Sequence, residues 1–530
     1  MIKLTTKQSI ARLLQSLGKT IIERRLIRDN ETEITIDKRD LPGVCDCLFH
    51  DKQGRLFTMV GSDEREINGC FVLYYVFCFD SLRHFITVKV LLGEDDPSFP
   101  SVAVQIPAAN WYEREVKDLL GLRPLGHPDR RPLVLHGDWP EDQHPLRKDF
   151  PLRANVARCA DHLTYLSYDS QDITQIPVGP IHAGIIEPGH FRFGAVGDTV
   201  FHLDAHLFYT HRGLEKSTED QALDRALFTA ERICAVCSGS HAVAFAQAVE
   251  TAAQVTIPLR AAFLRTLFLE MERLYNHIGD IGNMCAGFGF AVGTSHGGRL
   301  RELLMQLNEQ ITGHRYLRGV VTLGGVRSDI TLAEAKLITT VLAQLEPDFD
   351  ELIDIILTHE VAFSRMATTG ILSRQQAVDL SVVGVAARAS GRDIDIRRDL
   401  PYAAYDKVEL TVPVYARGDV LDRFKVRADE VKISLAVIHQ LLAQLPSGSI
   451  KTDIPAIKPY TTAMGWVESP RGEICHWLMI GPKQTIYRYR VRSASYSNWP
   501  AVALAVPGNI VPDFPLINKS FELCYSCCDR

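Results

Sequence analysis

The 530-residue chain contains no run of about 18 apolar residues, so no segment of it is expected to cross a membrane as a helix. Its opening stretch lacks an apolar core of signal-peptide length, and the charged residues after Arg24-Arg25 are unlike an export signal. No Lys/Arg-rich stripe with interleaved aromatics occurs, and the formal net charge is −6, which sets nucleic-acid partners aside. Internal repeats and low-complexity tracts are also missing. These absences lead to a cytoplasmic expectation, and in that compartment twelve cysteines read as reduced thiols or metal ligands rather than disulfides. Seven of them (Cys45, Cys47, Cys70, Cys78, Cys159, Cys285 and Cys475) sit mostly in apolar surroundings and are expected to be buried free thiols.

What is present is an ordinary globular composition, 46% hydrophobic and 23% charged, in a chain long enough for two or more domains. Residues 1–150 read as an α/β unit. A basic amphipathic helix is followed by strand-like alternation in Glu33–Asp37, Phe71–Phe77 and His84–Leu92. A charged helix over Trp111–Leu120 spaces Glu113 and Lys117 for an i,i+4 pair. Residues 151–175 are polar and turn-rich, a linker. From residue 176 a short β region precedes long helices, the first with Thr218 and Asp220 as candidate caps and Leu223, Leu227 and Ile233 on one face. Helical periods follow at 258–283, 296–317, 331–358 and 428–444. Val408–Val414 looks β-like, and the last 70 residues alternate strands and turns. The fold class is therefore α+β: an N-terminal α/β domain, then a large, mainly helical domain (176–530) with peripheral sheet.

Two Cys-x-x-Cys pairs stand out, Cys234/Cys237 and Cys524/Cys527, with His241 four residues beyond the first. Near a helix, this spacing points both sulfurs to one side. It is the shape of a bidentate thiolate clamp for nickel, zinc or iron, and spacing alone does not choose among them. A structural zinc ribbon usually separates its pairs by about 15–20 residues, whereas these lie hundreds apart, and a thioredoxin-like pair needs a βαβ setting that neither has.

Arg232-Ile-Cys234-Ala-Val-Cys237-Ser-Gly-Ser-His241 resembles the R-x-C-G-x-C-x-x-x-H motif of [NiFe] hydrogenase large subunits, and the chain end resembles their D-P-C-x-x-C-x-x-(H/R) motif, with Arg530 on its last position. Trp111–Gly121, Gly126–Arg131 and His144–Asp149 resemble the 30-kDa subunit of respiratory complex I. His211–Lys216, Arg388–Gly391 and Pro401–Tyr405 resemble its 49-kDa subunit. A fusion of the two that keeps the cysteines is similar to the large subunit of group 4 membrane-bound hydrogenases, of the formate hydrogenlyase and hydrogenase-4 type. Two positions depart from the motifs: Ala235 replaces Gly, and Glu522-Leu523 replaces Asp-Pro.

The resemblance implies a nickel–iron centre bearing CO and cyanide, with Cys237 and Cys527 bridging and Cys234 and Cys524 terminal on nickel. Cys524 would be the proton acceptor and Glu187 the proton relay. Arg471 would overhang the metals, with Asp513 and Glu522 as candidate orienting groups, and His241 would hydrogen-bond a bridging thiolate from outside the ligand set. Cys528 is a bystander. Relatives ending in His use that residue and a Glu like Glu215 to hold a magnesium-type ion; here the Arg530 guanidinium is expected to pair with Glu215 in its place. The family's proteolytic maturation implies that Arg530 ends a mature chain. Electrons would arrive from a complex I-like small subunit carrying a [4Fe–4S] cluster, fed by ferredoxin-like or formate dehydrogenase subunits, with integral membrane subunits anchoring the assembly to the inner face of the cell membrane. Two other readings remain open on sequence: a complex I-type scaffold shaping a quinone pocket, and a metal-free hydrogenase homologue.

Overall fold

The computed structural model describes residues 6–161, 165–183 and 186–530, in two compact units: 1–167 with 378–381, and 168–377 with 382–530. The first residues of the expected opening helix and residues 162–164 of the expected linker lie outside the described residues.

In the first unit a helix, Thr6–Leu17, leads into a five-stranded sheet. Its spatial order is Ile21–Arg28, Glu31–Ile36, His84–Gly93, Cys70–Phe79, Arg55–Glu64. The Glu31–Ile36 and His84–Gly93 strands run parallel; the other neighbours are antiparallel. The apolar runs expected as strands are the central ones; Phe71–Phe77 is buried on both faces, whereas Leu91, late in the His84–Gly93 strand, is exposed. The helix Asn110–Leu120 lies against the outer strand at Gly61, where an added Cβ would come 2.7 Å from Leu120 Cδ1. That packing overrides the expected Glu113–Lys117 pair. Glu113 is fully buried and accepts from Tyr75 Oη (3.1 Å), the Val102 N–H (2.9 Å) and Ser101 Oγ, while Lys117 Nζ donates to the Arg130 carbonyl at 2.7 Å.

The second unit opens on a three-stranded sheet, Thr174–Val178, His190–Val196 and Thr199–His206. A helical body follows: Leu223–Ala230, Ser238–Ala252, Leu259–Gly287, Ala291–Thr312, Leu332–Thr358 and Val420–Ala443. Thr218 and Asp220 do not cap the first of these: Thr218 Oγ1 donates to the Leu214 carbonyl, Asp220 sits at φ +61°, and the cap residue is Ala222. Val408–Val414 forms no strand; Pro413 lacks an N–H, and the main chain of Glu409 pairs with the Gln440 side chain instead. Near the end, an antiparallel sheet (Thr462–Ser469, Gly472–Ile480, Ile486–Arg492) packs on the Ser238–Ala252 helix. The approach is closest at Gly465, where a Cβ would meet the Ala244 carbonyl oxygen at 2.0 Å. Glycine there lets helix and sheet touch backbone to backbone. Of the seven bystander cysteines expected to be buried, Cys159 is exposed, and Cys47 and Cys70 are partly so.

Among the described residues no helix is long and apolar enough to cross a membrane.

Candidate metal centre

The fold brings the two thiol pairs together. The Sγ atoms of Cys234, Cys524 and Cys527 all lie within 4.8 Å of one another, and Cys234 and Cys524 are 3.3 Å apart. Cys237, at the cap of the Ser238–Ala252 helix, also interacts with the other three thiols. Cys234, Cys237 and Cys527 are buried; Cys524 is half-buried, so the pocket has one approachable side.

Each pair is held by named supports. The turn between Cys234 and Cys237 hangs from the Leu259–Gly287 helix, where Tyr275 Oη (3.0 Å) and Asn276 Nδ2 (2.9 Å) both donate to the Val236 carbonyl. Glu272, one turn earlier, accepts from the Gly239 (2.7 Å) and Ser240 (3.0 Å) N–H groups and from Ser240 Oγ. It thereby caps the free donors at the start of the cysteine-bearing helix. Burial pushes its carboxyl up to about 7 despite these bonds. The Cys524 N–H donates to Ser495 Oγ at 3.0 Å. Arg212 ties the pairs to each other: its guanidinium reaches the carbonyls of Arg232 (3.0 Å), Ile233 (2.8 Å) and Ser526 (3.1 Å). Ala235 is exposed and is not among the positive-φ residues, so the missing glycine costs the turn nothing.

Hydrogen bonds from Cys237, Cys524 and Cys527 hold the Cys234 thiol well below its ordinary range. The Cys237 thiol is pushed well above it by sharing protons with Cys234, and Cys527 by burial. Four sulfurs so close together and largely buried cannot all ionise unless a cation balances them, which is the condition a bound soft metal meets. The donor set therefore fits a thiolate-bound metal.

His241 Nε2 lies 3.3 Å from Cys527 Sγ, and the ring continues into a chain: His241 Nδ1 to His476 Nε2 (2.9 Å), His476 Nδ1 to Tyr489 Oη (2.8 Å). Burial drives His241 down to about 4 and holds His476 well below its ordinary range, so both rings are neutral. His476 and Tyr489 have no local spacing that ties them to the cysteines; they arrive from strands far along the chain.

Arg471, in the turn between the Thr462–Ser469 and Gly472–Ile480 strands, donates to Asn276 Oδ1 (2.6 Å), Asp280 Oδ1 (2.9 Å) and the Glu522 carbonyl (3.0 Å). The expected orienting groups need correcting. Asp513 pairs with Arg365 at 2.8 Å, at the start of the Phe514–Phe521 helix, the end opposite Glu522. Glu522 contributes its main chain; its carboxylate accepts from Asn283 Nδ2 at 2.6 Å. Glu522 stands at φ +51°, the left-handed end of the Phe514–Phe521 helix, a conformation that Leu rather than Pro at position 523 leaves open.

Glu187 is half-buried and accepts the Ser526 N–H at 3.0 Å, inside the terminal motif. The last residue is locked in: Arg530 Nη1 donates to Glu215 Oε1 (3.1 Å) and the Val491 carbonyl (2.6 Å), with its guanidinium 4.7 Å from the Tyr496 ring centre. Glu215 also accepts from Arg490 (2.6 Å) and the Val491 N–H (2.8 Å). Asp529, a variable position of the terminal motif, accepts from the Phe208 and Thr210 N–H groups, both at 3.0 Å, and from Thr210 Oγ1 at 2.7 Å. The loop 207–215 is thus a clasp for the chain end.

Three family profiles match the chain: the 30 Kd subunit of respiratory-chain NADH dehydrogenase over residues 34–156, nickel-dependent hydrogenase over 212–281, and the 49 Kd subunit over 288–464 and 455–530. The hydrogenase match contains Cys234, Cys237, His241 and Asp280, and the second thiol pair falls in the last 49 Kd segment. Fold and site together define a nickel-dependent hydrogenase large subunit carried on a complex I framework. The chain is 38% identical to hydrogenase-4 component G of Escherichia coli K12, over 97% of this chain and 90% of that one. It is 36% identical to formate hydrogenlyase subunit 5 of the same organism, over 98% and 93%, and 31% identical to the carbon monoxide-induced hydrogenase of Rhodospirillum rubrum, over 67% and 99%. The chain belongs to the hydrogenase family that these relatives represent, with the 30-kDa-like and 49-kDa-like regions fused.

Proposed function

We propose that the chain is the catalytic subunit of a membrane-associated hydrogenase that interconverts protons, electrons and H2 in a formate hydrogenlyase-type assembly. The observation that carries this is the convergence of Cys234, Cys237, Cys524 and Cys527, two pairs hundreds of residues apart, in one largely buried cluster within electrostatic reach of Arg471. A scaffold without metal leaves that convergence without a task.

Cys234, Cys237, Cys524 and Cys527 would together hold a nickel–iron centre whose iron bears CO and cyanide. Such a centre supplies the redox-active Lewis acid at which H2 is split or formed. The chain's own residues supply the rest. Cys524, on the approachable side, takes or gives the proton. Glu187, bonded to the backbone of the same motif, passes it towards solvent. Arg471 would hold a fixed guanidinium beside the centre, available to polarise H2. His241 holds the Cys527 sulfur in place, and His476 and Tyr489 fix its tautomer. Arg530 closes the site by occupying the acidic pocket of Glu215 in place of a divalent ion.

Among the described residues no cysteine framework for an iron–sulfur cluster stands apart from the two pairs, so electrons would enter from a small subunit holding a [4Fe–4S] cluster. Membrane subunits would hold the assembly at the cytoplasmic face. The assembled complex, given a reduced low-potential donor, is expected to evolve H2, and its Cys524→Ala form is expected to evolve none. Wild-type evolution by Cys524→Ala would refute the assignment.

A further inference from the structure

The side-chain amide of Asn276 joins two parts of the site that lie far apart in the chain. Its Oδ1 accepts from Arg471 Nη1 at 2.6 Å, and its Nδ2 donates to the Val236 carbonyl at 2.9 Å and to the Glu272 carbonyl at 2.8 Å. The three partners assign the amide's orientation. A guanidinium only donates and a carbonyl only accepts, so a flipped amide would meet a like group on every side. Asn276 is buried, and both hydrogens of its Nδ2 are spent on these carbonyls.

Each end of this link has other support. The Val236 carbonyl, in the residue just before Cys237, also accepts from Tyr275 Oη at 3.0 Å. Arg471 also donates through Nη2 to Asp280 Oδ1 at 2.9 Å and through Nε to the Glu522 carbonyl at 3.0 Å. Asp280, one turn on from Asn276, fixes the guanidinium to the Leu259–Gly287 helix, and Glu522 fixes it to the segment that leads into Cys524. Among the described residues, Asn276 is the one side chain that bonds both the guanidinium and the turn between Cys234 and Cys237. The guanidinium is within electrostatic reach of Cys237 and Cys524, so a shift in its position changes its field at a thiol of each pair.

We propose that Asn276 is a positioning residue: its amide fixes the Arg471 guanidinium to the Val236 carbonyl, and so sets where that cation stands against the Cys234–Cys237 pair. Oδ1 and Nδ2 belong to one planar group, so covalent geometry sets the length of the link. Removing the amide leaves Arg471 on Asp280 and Glu522 and leaves the turn on Tyr275. Both ends then stay held, but the spacing between them is released. A displacement of about 1 Å at a reacting centre costs on the order of 100-fold in rate. The inference rests on the proposed function only for what Arg471 does to the reaction; the link itself is a property of the fold.

The test uses the assembled, nickel-loaded complex in a cycle of wild type, Asn276→Ala, Arg471→Lys and the double variant. H2 evolution is measured per bound nickel, and structures of the wild type and Asn276→Ala are compared. Asn276→Ala is expected to slow evolution by about tenfold to a hundredfold. Added to Arg471→Lys it should change the rate by less than about twofold, because a lysine has no fork for the amide to place. The structures should show the guanidinium displaced from the Val236 carbonyl by about 1 Å or more, with the Tyr275 bond intact. Equal fold-losses in both backgrounds, or a guanidinium that has not moved, overturn the inference; Asn276 then only props the turn. Should Asn276→Ala lose its nickel, Asn276→Asp breaks the link at its other end by setting a carboxylate oxygen against the Val236 carbonyl, and the same two criteria decide. A wild-type complex without nickel overturns the hydrogenase reading, and the position of Arg471 in the two structures then decides the inference on its own.

Discussion

Replacing Glu215 by Gln removes a carboxylate that the structure places against two buried guanidinium groups, those of Arg490 and Arg530. The amide oxygen can still accept the Val491 N–H, but its NH2 then faces Arg490 Nη1, which now sits 2.6 Å from Glu215 Oε2. One charge-assisted bond becomes a donor–donor contact, and the carboxylate charge beside two nearly dry cations is lost. Breaking a buried pair this way costs about 3–5 kcal/mol. Unfolding entropy is about 2.1 cal/mol/K per residue, and the second unit has roughly 360 residues, so each kcal/mol lowers the midpoint by about 1.3 °C. The expected drop is about 4–7 °C by calorimetry, with faster amide exchange at residues 525–530, which the pair anchors. A drop under about 1 °C with unchanged exchange at the chain end would show that Glu215 does not hold Arg530, and the closing role given to Arg530 would fail.

Cys524→Ala is expected to abolish nickel retention, measured as metal content after gel filtration; full retention would remove Cys524 from the ligand set. Glu187→Gln should slow turnover by a factor of about 100 or more with nickel content unchanged, since it removes a titratable step, and an unchanged rate would take Glu187 off the proton path. Arg212→Lys cannot span the carbonyls on both thiol segments, so nickel content should fall while the midpoint of the first unit stays put. Glu113, pushed up to about 7 by burial, keeps its proton in the folded state after the unfolded chain has lost it. Its stabilisation is full below about pH 4.5 and is lost as the pH rises through 7, about 3 kcal/mol in all. Denaturant titrations of wild type against Glu113→Gln should show this slope in the former only.

The thiol cluster is legible in sequence because metal chemistry restricts residue type at fixed spacing: two Cys-x-x-Cys pairs, with a histidine one turn on from the first. Glu187, Glu215 and Arg530 are legible only through resemblance, since a turn carboxylate or a terminal arginine carries no chemistry of its own. The supports are not legible at all. Glu272, Asn276 and Asp280 lie in an unremarkable helical period and become a cap, a tether and a clamp only when that helix packs under the cysteine turn. Arg212 sits in a stretch read for its likeness to the 49-kDa subunit, with no spacing that predicts its reach to both thiol segments. Asp513 shows the opposite error, an acid near the right motif whose helix start faces Arg365 instead. Glu113 shows why local pairing rules fail in a core. Its i,i+4 partner is available, but burial against Tyr75 and Ser101 decides the contact.

The central claim is that the four thiols hold a nickel–iron centre. Elemental analysis and infrared spectroscopy of the purified, assembled complex test it most directly. The account predicts nickel and iron in equal amounts with the chain, together with stretching bands of CO and cyanide; a correctly assembled complex with neither nickel nor those bands would contradict it.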